Sequence, residues 1–407
     1  LDKTPKDRLY PDVYFKTEDE LRLFTNQFYN NLVPSAVDIY SESSDLIVKS
    51  DLMLEMSGQR IIPDEGNGWN FTALRDINFY LQYSHNCTEV NARNRYDGVA
   101  RFFRAYFYFE KVKRYGDIPW YDKAHDSDDP ELYKARDSRE FVMQKMLEDL
   151  DFAIANLPKT KNAYVLTRWT ALALKSRVCL FEGTFRKYHG LEDCEKYLNA
   201  CVSASETFMN ESGYTLYKSG STPYRDLFAS INLQADEVIF GRDYEASLSV
   251  LHNVQNYENS TTMGRPGMNK KIVNSYLMAD GSRFTDKAGY ETMTFDQECQ
   301  NRDPRLAQTI RTPGYTRIGS TKKEAPNLAY TMTGYHLIKY SMTANYDEYN
   351  KSCNDIPLFR TAEVYLNFAE AKAELGTLKQ ADINKSIKLL RDRVGMTNLD
   401  MELANSK

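Results

Sequence analysis

The residues best suited to chemistry in this chain are flat rings set beside amide groups. Asn67-Gly68-Trp69-Asn70 places an indole between two carboxamides. Such a ring lies well against the apolar face of a pyranose, while Asn, Asp, Arg or Gln side chains bond to the sugar hydroxyls. Asn253, Tyr257, Arg265, Tyr330 and Tyr335 are of the same chemical type, farther along the chain. Trp69 has two readings from sequence: a packing residue at a helix entrance, or the platform for a ligand. Trp120 follows the Gly116–Pro119 turn and Trp169 lies at a helix start, so both read as structural.

Other chemistries lack their constellations. His85, His125, His189, His252 and His336 are scattered without HExxH spacing, and His85-Asn86-Cys87 is the one His/Cys approach, so no metal site is expected. There is no GxSxG elbow and no Gly-rich phosphate loop, which removes nucleophilic and phosphoryl-transfer readings. Asp126-Ser127-Asp128-Asp129 gathers hard oxygen ligands but lacks a full calcium-binding loop, and reads as a solvated turn. With 57 Asp and Glu, carboxylate pairs fit for glycoside hydrolysis arise by chance and none stands out. No cofactor is implied. A glycosidase on a helical scaffold is the enzyme alternative, and a pure scaffolding solenoid is the other class.

The elements that must position these residues are mostly helices. Thr17-Glu18-Asp19-Glu20 has capping-box spacing ahead of Leu21, Phe24, Phe28 and Leu32, which predicts a helix near 17–33 that ends before Pro34. Residues 35–68 read as loop, and a second helix runs from Trp69 to about Tyr83. A helix around Val99–Phe109, buried on most sides, stops at Gly116 and Pro119. Asp137 or Ser138 caps the next, which ends at Pro158; Thr167 caps another, and a further one runs near 192–209. Thr361–Leu375 and Ala381–Val394 form a pair joined by Gly376-Thr377, and Asn367 to Gly376 resembles a tetratricopeptide hairpin.

Three pairs, near 99–157, 167–209 and 361–394, predict an α-solenoid in which no pair buries its face alone. Between them, residues 210–355 are richer in Gly, Ser, Thr, Asn and Tyr, with a helical run near 269–279 and strand-like pieces at 237–241 and 336–340. The expected fold is therefore mainly α: a tetratricopeptide-like α-solenoid scaffold with a loop-rich insertion on one side. Residues 1–209 form the N-terminal helical scaffold, 210–355 the irregular substrate-facing insertion, and 356–407 a C-terminal helical hairpin.

A length of 407 residues implies more than one packing unit. Net charge is −5, and Lys and Arg are dispersed among Asp and Glu, so no basic stripe marks a nucleic-acid partner. No run of about 18 apolar residues occurs, and the opening Leu1-Asp2-Lys3-Thr4-Pro5 is polar, so neither a membrane-spanning helix nor a signal peptide is expected. Six cysteines without a CxxC pair do not make a disulfide scaffold. The chain has 29 Tyr beside 20 Phe and 3 Trp, a bias toward rings with a polar tip that suit wet contact surfaces and helix interfaces alike.

Several stretches, in order along the chain, resemble the SusD/RagB family. They are Leu1–Pro5 with Phe15–Leu21, Ala100–Phe109 with Tyr115-Gly116-Asp117-Ile118-Pro119, Arg302-Asp303-Pro304-Arg305-Leu306, and Pro357–Asn367. The resemblance implies a tetratricopeptide-like solenoid carrying an irregular substrate-facing part. It implies a protein held by lipid to the outer leaflet of the outer membrane in Bacteroidetes, facing outside and capping a SusC-like TonB-dependent transporter barrel. It implies binding of an oligosaccharide or polysaccharide, or in some members peptides or glycoprotein fragments, with no catalysis. Two departures accompany it: the lipidated cysteine expected just before Leu1 is not in this sequence, and the family continues past the Leu390–Met396 stretch into a C-terminal segment, so this chain reads as truncated.

Overall fold

The computed structural model describes residues 13–40, 45–63, 66 and 68–406. The chain forms two compact units, Leu1–Val33 with Pro63–Ser212, and Pro34–Ile62 with Gly213–Lys407.

The first unit is built from helices α1 (Glu18–Leu32), α2 (Thr72–Tyr83), α3 (Val90–Tyr115), α4 (Arg139–Asn156), α5 (Arg168–Tyr188) and α6 (Cys194–Glu211). Their starts are written locally. Thr17 and Glu20 close the expected capping box on α1, Ser138 Oγ accepts from Phe141 N at the start of α4, and Thr167 with Thr170 closes a box on α5. Each helix packs on its neighbour in order, α3 on α4, α4 on α5 and α5 on α6, with α1 and α2 laid against α3. Helix α3 is buried on most sides, as its small and aromatic residues require.

Two kinds of contact hold the stack. Phe15, Phe24, Phe28, Phe79 and Tyr80 form an aromatic cluster between α1 and α2, with ring centroids 5.0–6.2 Å apart; burial of each such ring contributes about 1.5–3 kcal/mol. Between α4 and α5, fully buried Glu182 accepts from Arg139 Nη2 at 2.6 Å and from Arg186 Nε at 2.8 Å. Trp120 stacks on Tyr108 at 4.3 Å, and Trp169 donates from Nε1 to the Lys159 carbonyl at 2.6 Å, so both serve packing.

The second unit is irregular between its few elements. Strands β1 (Ile47–Val48) and β3 (Gly267–Met268) pair antiparallel, as do β2 (Val238–Arg242) and β4 (Ile356–Arg360), the latter with a register irregularity. Helices α7 (Pro223–Ala229), α8 (Thr361–Glu374) and α9 (Ile387–Asp392) flank them in sequence. Glu237, immediately before β2, is fully buried and accepts from Arg360 Nη1 at 2.8 Å, Arg393 Nη1 at 2.7 Å and Tyr217 N at 2.9 Å. One carboxylate thus ties β4 and the end of α9 to the loop before β2.

Two expected elements differ. Residues 336–340 are not a strand, because their backbone meets two partners in turn, His336 opposite Gly267 and Leu337 opposite Ile310, each for a single bridge. The helix expected over 381–394 is split into Gln380–Asn384 and α9, because the Ser386 hydroxyl bonds back to the Asp382 carbonyl at 2.6 Å and Ser386 leaves helical geometry at φ −135°, ψ −89°.

Gly183 on α5 faces Leu198 on α6, and a Cβ there would lie 2.7 Å from Leu198 Cγ and 3.1 Å from its backbone nitrogen. Gly183→Ala is expected to cost about 1–3 kcal/mol by overpacking, read as a lower urea midpoint with an unchanged slope; an unaltered midpoint would show that the two helices part without cost.

His252 and His336 are both buried as neutral rings. In each, Nδ1 accepts a backbone N–H, from Val254 at 3.2 Å and Asn327 at 3.1 Å, while Nε2 faces a carbonyl, of Asn354 at 2.9 Å and Glu258 at 2.6 Å. Burial pushes His252 down to about 4 and His336 down to about 3. The unfolded chain therefore binds more protons at mildly acid pH, so the stability these rings contribute is complete above the ordinary histidine value of 6.5 and is lost as pH falls toward about 4. Each ring should add up to about 1.4 kcal/mol per pH unit to the fall in stability across that window, and His252→Gln should remove one proton's share of the slope. An identical slope in the variant would contradict the neutral buried state.

Candidate functional site

Helix α2 begins at Thr72 because Asn70 Oδ1 accepts from Thr72 N at 2.8 Å. That leaves Trp69 in the turn ahead of the helix, 38% exposed. Its ring meets Phe71 at 5.3 Å and Tyr115 at 4.9 Å, both edge-on, and the Arg136 guanidinium lies over it at 4.9 Å. The preceding Gly68 carbonyl accepts from Lys111 Nζ on α3. Burial pushes the Lys111 ammonium down, with Arg114 adding to the effect.

Below Trp69 opens a cleft of about 710 Å³, within the range of roughly 300–1,000 Å³ usual for small-ligand sites. From the α2 side it is lined by Trp69, Phe71, Leu74, Arg75 and Asn78, and from the loop after α3 by Tyr121, Lys123, His125, Asp126, Ser127, Asp128 and Leu132. Buried polar bonds hold the loop in place. Asn78 Nδ2 donates to the carbonyls of Tyr121 at 2.8 Å and Lys123 at 3.3 Å, Tyr121 N donates to the Tyr108 hydroxyl at 2.6 Å, and Tyr121 OH donates to the Leu132 carbonyl at 2.9 Å. Asp129 accepts from Glu131 N at 2.9 Å and pairs with His125 Nδ1 at 2.7 Å, and the His125 bond, followed by the Glu131 one, holds its carboxyl below the usual carboxylate range. The acidic turn is thus partly spent on its own backbone, while Asp126 and Asp128 face the cleft beside Arg75 and Lys123.

The residues expected from sequence are distributed as follows. Trp69 lines this cleft, the Asn70 side chain is occupied in starting α2, and Asn67 lies outside the described residues. Asn253 and Tyr257 line a recess of about 180 Å³ in the second unit with Tyr244 and His252, and Asn253 exchanges hydrogen bonds with Asn350 at 2.5 and 3.1 Å. Arg265 donates to the Leu328 carbonyl at 2.8 Å and accepts from Met332 N at 3.0 Å, which brings it to the Tyr330 loop; the Tyr330 ring itself stands edge-on to His336 at 6.0 Å. Tyr335 is buried, with its hydroxyl donated to Glu298 at 2.8 Å. Phe71, Arg75, Asn78, Tyr121 and Lys123 were not singled out by sequence, since Phe71 and Arg75 carry no motif and the Asn78 bonds that bring Tyr121 and Lys123 to the cleft span more than forty residues.

Comparison with known proteins agrees with this architecture. The profile described as the SusD family matches residues 227–407, and one described as starch-binding associating with outer membrane matches residues 58–168, together well over half of the chain. The chain is 24% identical over 434 aligned residues to a SusD-like protein P2 of Formosa agariphila, covering 100% of this chain and 80% of that protein. It superposes on a SusD-like protein of Bacteroides fragilis with a TM-score of 0.77 at 22% identity, over 99% of this chain and 84% of the other. A SusD-like carbohydrate binding protein of the same species gives 0.76 at 19% identity, over 95% and 80%. With helical hairpins bearing an aromatic, polar cleft, and with family matches in both compact units, the chain belongs to the SusD family.

Proposed function

We propose that this protein captures an oligosaccharide at the cell surface and delivers it to a SusC-like TonB-dependent transporter, by binding without catalysis and tethered by an N-terminal lipid. The observation that carries the reading is the half-exposed Trp69 ring at the mouth of a cleft that also offers carboxylate, guanidinium and ammonium groups. That combination suits a pyranose, with stacking on one face and hydrogen bonds around the rim. The cleft charges balance, Arg75 and Lys123 against Asp126 and Asp128, which favours a neutral, hydroxyl-rich ligand. The family description as starch-binding and outer-membrane-associated supports the same reading. In this proposal residues 1–209 are the scaffold and 210–355 the substrate-facing part, where Asn253, Tyr257, Arg265 and Tyr330 are secondary contacts, with 356–407 completing the helical framework.

Calorimetric titration of a glycan panel against the wild type and Trp69→Ala tests it. Loss of the ring is expected to weaken glycan binding by about 2 kcal/mol or more, roughly thirtyfold, and to cost only about 1–2 kcal/mol of stability through the Phe71 and Tyr115 edge contacts. A folded variant with full affinity would remove Trp69 from the site. Wild-type protein incubated with a polysaccharide it binds should release no reducing sugar, and detergent extracts of the native membrane should yield it with a large barrel. Turnover abolished by one Asp or Glu substitution would make it an enzyme instead.

A further inference from the structure

A second recess, of about 490 Å³, lies within the second unit and plays no part in the glycan reading. Its wall is Tyr276, Leu366 and Leu390, and its polar groups are Arg305, Arg360 and Arg393 with Asp303. Leu366 is 45% exposed at the surface, while the Arg393 side chain is only 1% exposed. The charges do not balance. Asp303 accepts the Arg305 guanidinium at 2.5–3.1 Å, and buried Glu237 serves both Arg360 and Arg393. Lys339 adds a fourth cation, with its ammonium 5.6 Å from the Tyr224 ring that lines the recess. Four cations therefore face two carboxylates, and Arg393 Nε is buried without an acceptor. Tyr224 registers the excess: against the upward push of burial, Lys339, Arg360 and Arg393 together bring its phenol below its ordinary value.

We propose that this recess binds a small organic carboxylate, with its apolar body on Tyr276, Leu366 and Leu390 and its charge against Arg305, Arg360 and Arg393. Desolvated guanidinium groups with unspent donors are costly unless an anion meets them, and a planar carboxylate matches their geometry. The apolar wall sets the ligand apart from a bare inorganic anion. Such a carboxylate can be a free acid or the C-terminus of a polypeptide, and the probes separate the two.

The test uses the full chain and calorimetric titration with benzoate, benzamide, sulfate, and a short peptide ending in Phe as free acid or amide. Benzoate or the free-acid peptide is expected to bind, whichever is tighter naming the source, while benzamide and the amidated peptide do not. Arg305→Gln should weaken binding by about tenfold or more, the scale of one charge-assisted bond. Because Leu366 is exposed, Leu366→Glu should fold normally and repel the same ligand, which keeps the test decisive if Arg305→Gln fails to fold. Equal binding of acid and amide, binding of sulfate alone, no binding of either carboxylate, or carboxylate binding untouched by Leu366→Glu would each overturn the proposal.

Discussion

The arrangement of the first unit turns on one buried guanidinium. Arg104 sits in the middle of α3, 7% exposed, where its charge is largely cut off from bulk water. Asp149 on α4 takes it bidentately at 2.6 and 2.7 Å, Asn78 on α2 accepts from its remaining arm at 3.2 Å, and Trp120 lies 5.1 Å beneath it. Three helices are thereby fixed around a group whose isolated burial would cost several kcal/mol. The same Asn78 then donates onward to the Tyr121 and Lys123 carbonyls, so the bond that satisfies a charge in the scaffold also hangs the wall of the cleft. Scaffold and site share one polar network, and neither can relax without leaving a buried group unpaired.

This also accounts for the tyrosine excess. A Phe can fill a helix interface, but it cannot fasten irregular backbone, whose N–H and C=O groups need partners wherever they are buried. Tyr does both. Tyr108 on α3 is fully buried while its hydroxyl meets the Pro119 carbonyl at 3.2 Å and the Tyr121 amide at 2.6 Å. Tyr29 reaches from α1 to Leu166 N at 3.0 Å, and Tyr244 reaches Ala36 N at 2.8 Å. With few strands to absorb backbone polarity, the chain lays its loops on phenol tips.

What sequence discloses follows the range of the forces involved. Helices α1, α4 and α5 were legible because caps act within four residues, and the middle of α3 because small and aromatic residues crowd the run from Val99 to Phe109 before the stop at Gly116 and Pro119. The break at Ser386 was not, since a serine bonding back to its own helix looks the same in sequence as one facing water. Strand β4 went unseen because it contains Pro357 and pairs with β2 over a separation of more than a hundred residues. Trp69 stood out by residue type, yet its partners in the cleft depend on Asn78 crossing to a loop some forty residues away. Tyr335 had the right chemistry for a ligand contact and is spent instead on Glu298, a distinction that only burial can make.

The position of Trp69 depends finally on backbone rather than side chain. Gly68 has φ +83°, a region that costs an L-residue free energy, and a Cβ there would stand 3.2 Å from the Tyr115 hydroxyl. A glycine elbow therefore lets the chain approach α3 closely enough for Lys111 to reach the Gly68 carbonyl, and the elbow aims the next residue at the cleft. The indole is then steadied by edge contacts and one guanidinium rather than enclosed. In the proposed reading, a ring held this way loses little freedom when a sugar stacks on it, because its orientation is already set. Preorganisation without enclosure favours binding that is selective but readily reversed, the behaviour that the proposed delivery of a ligand requires.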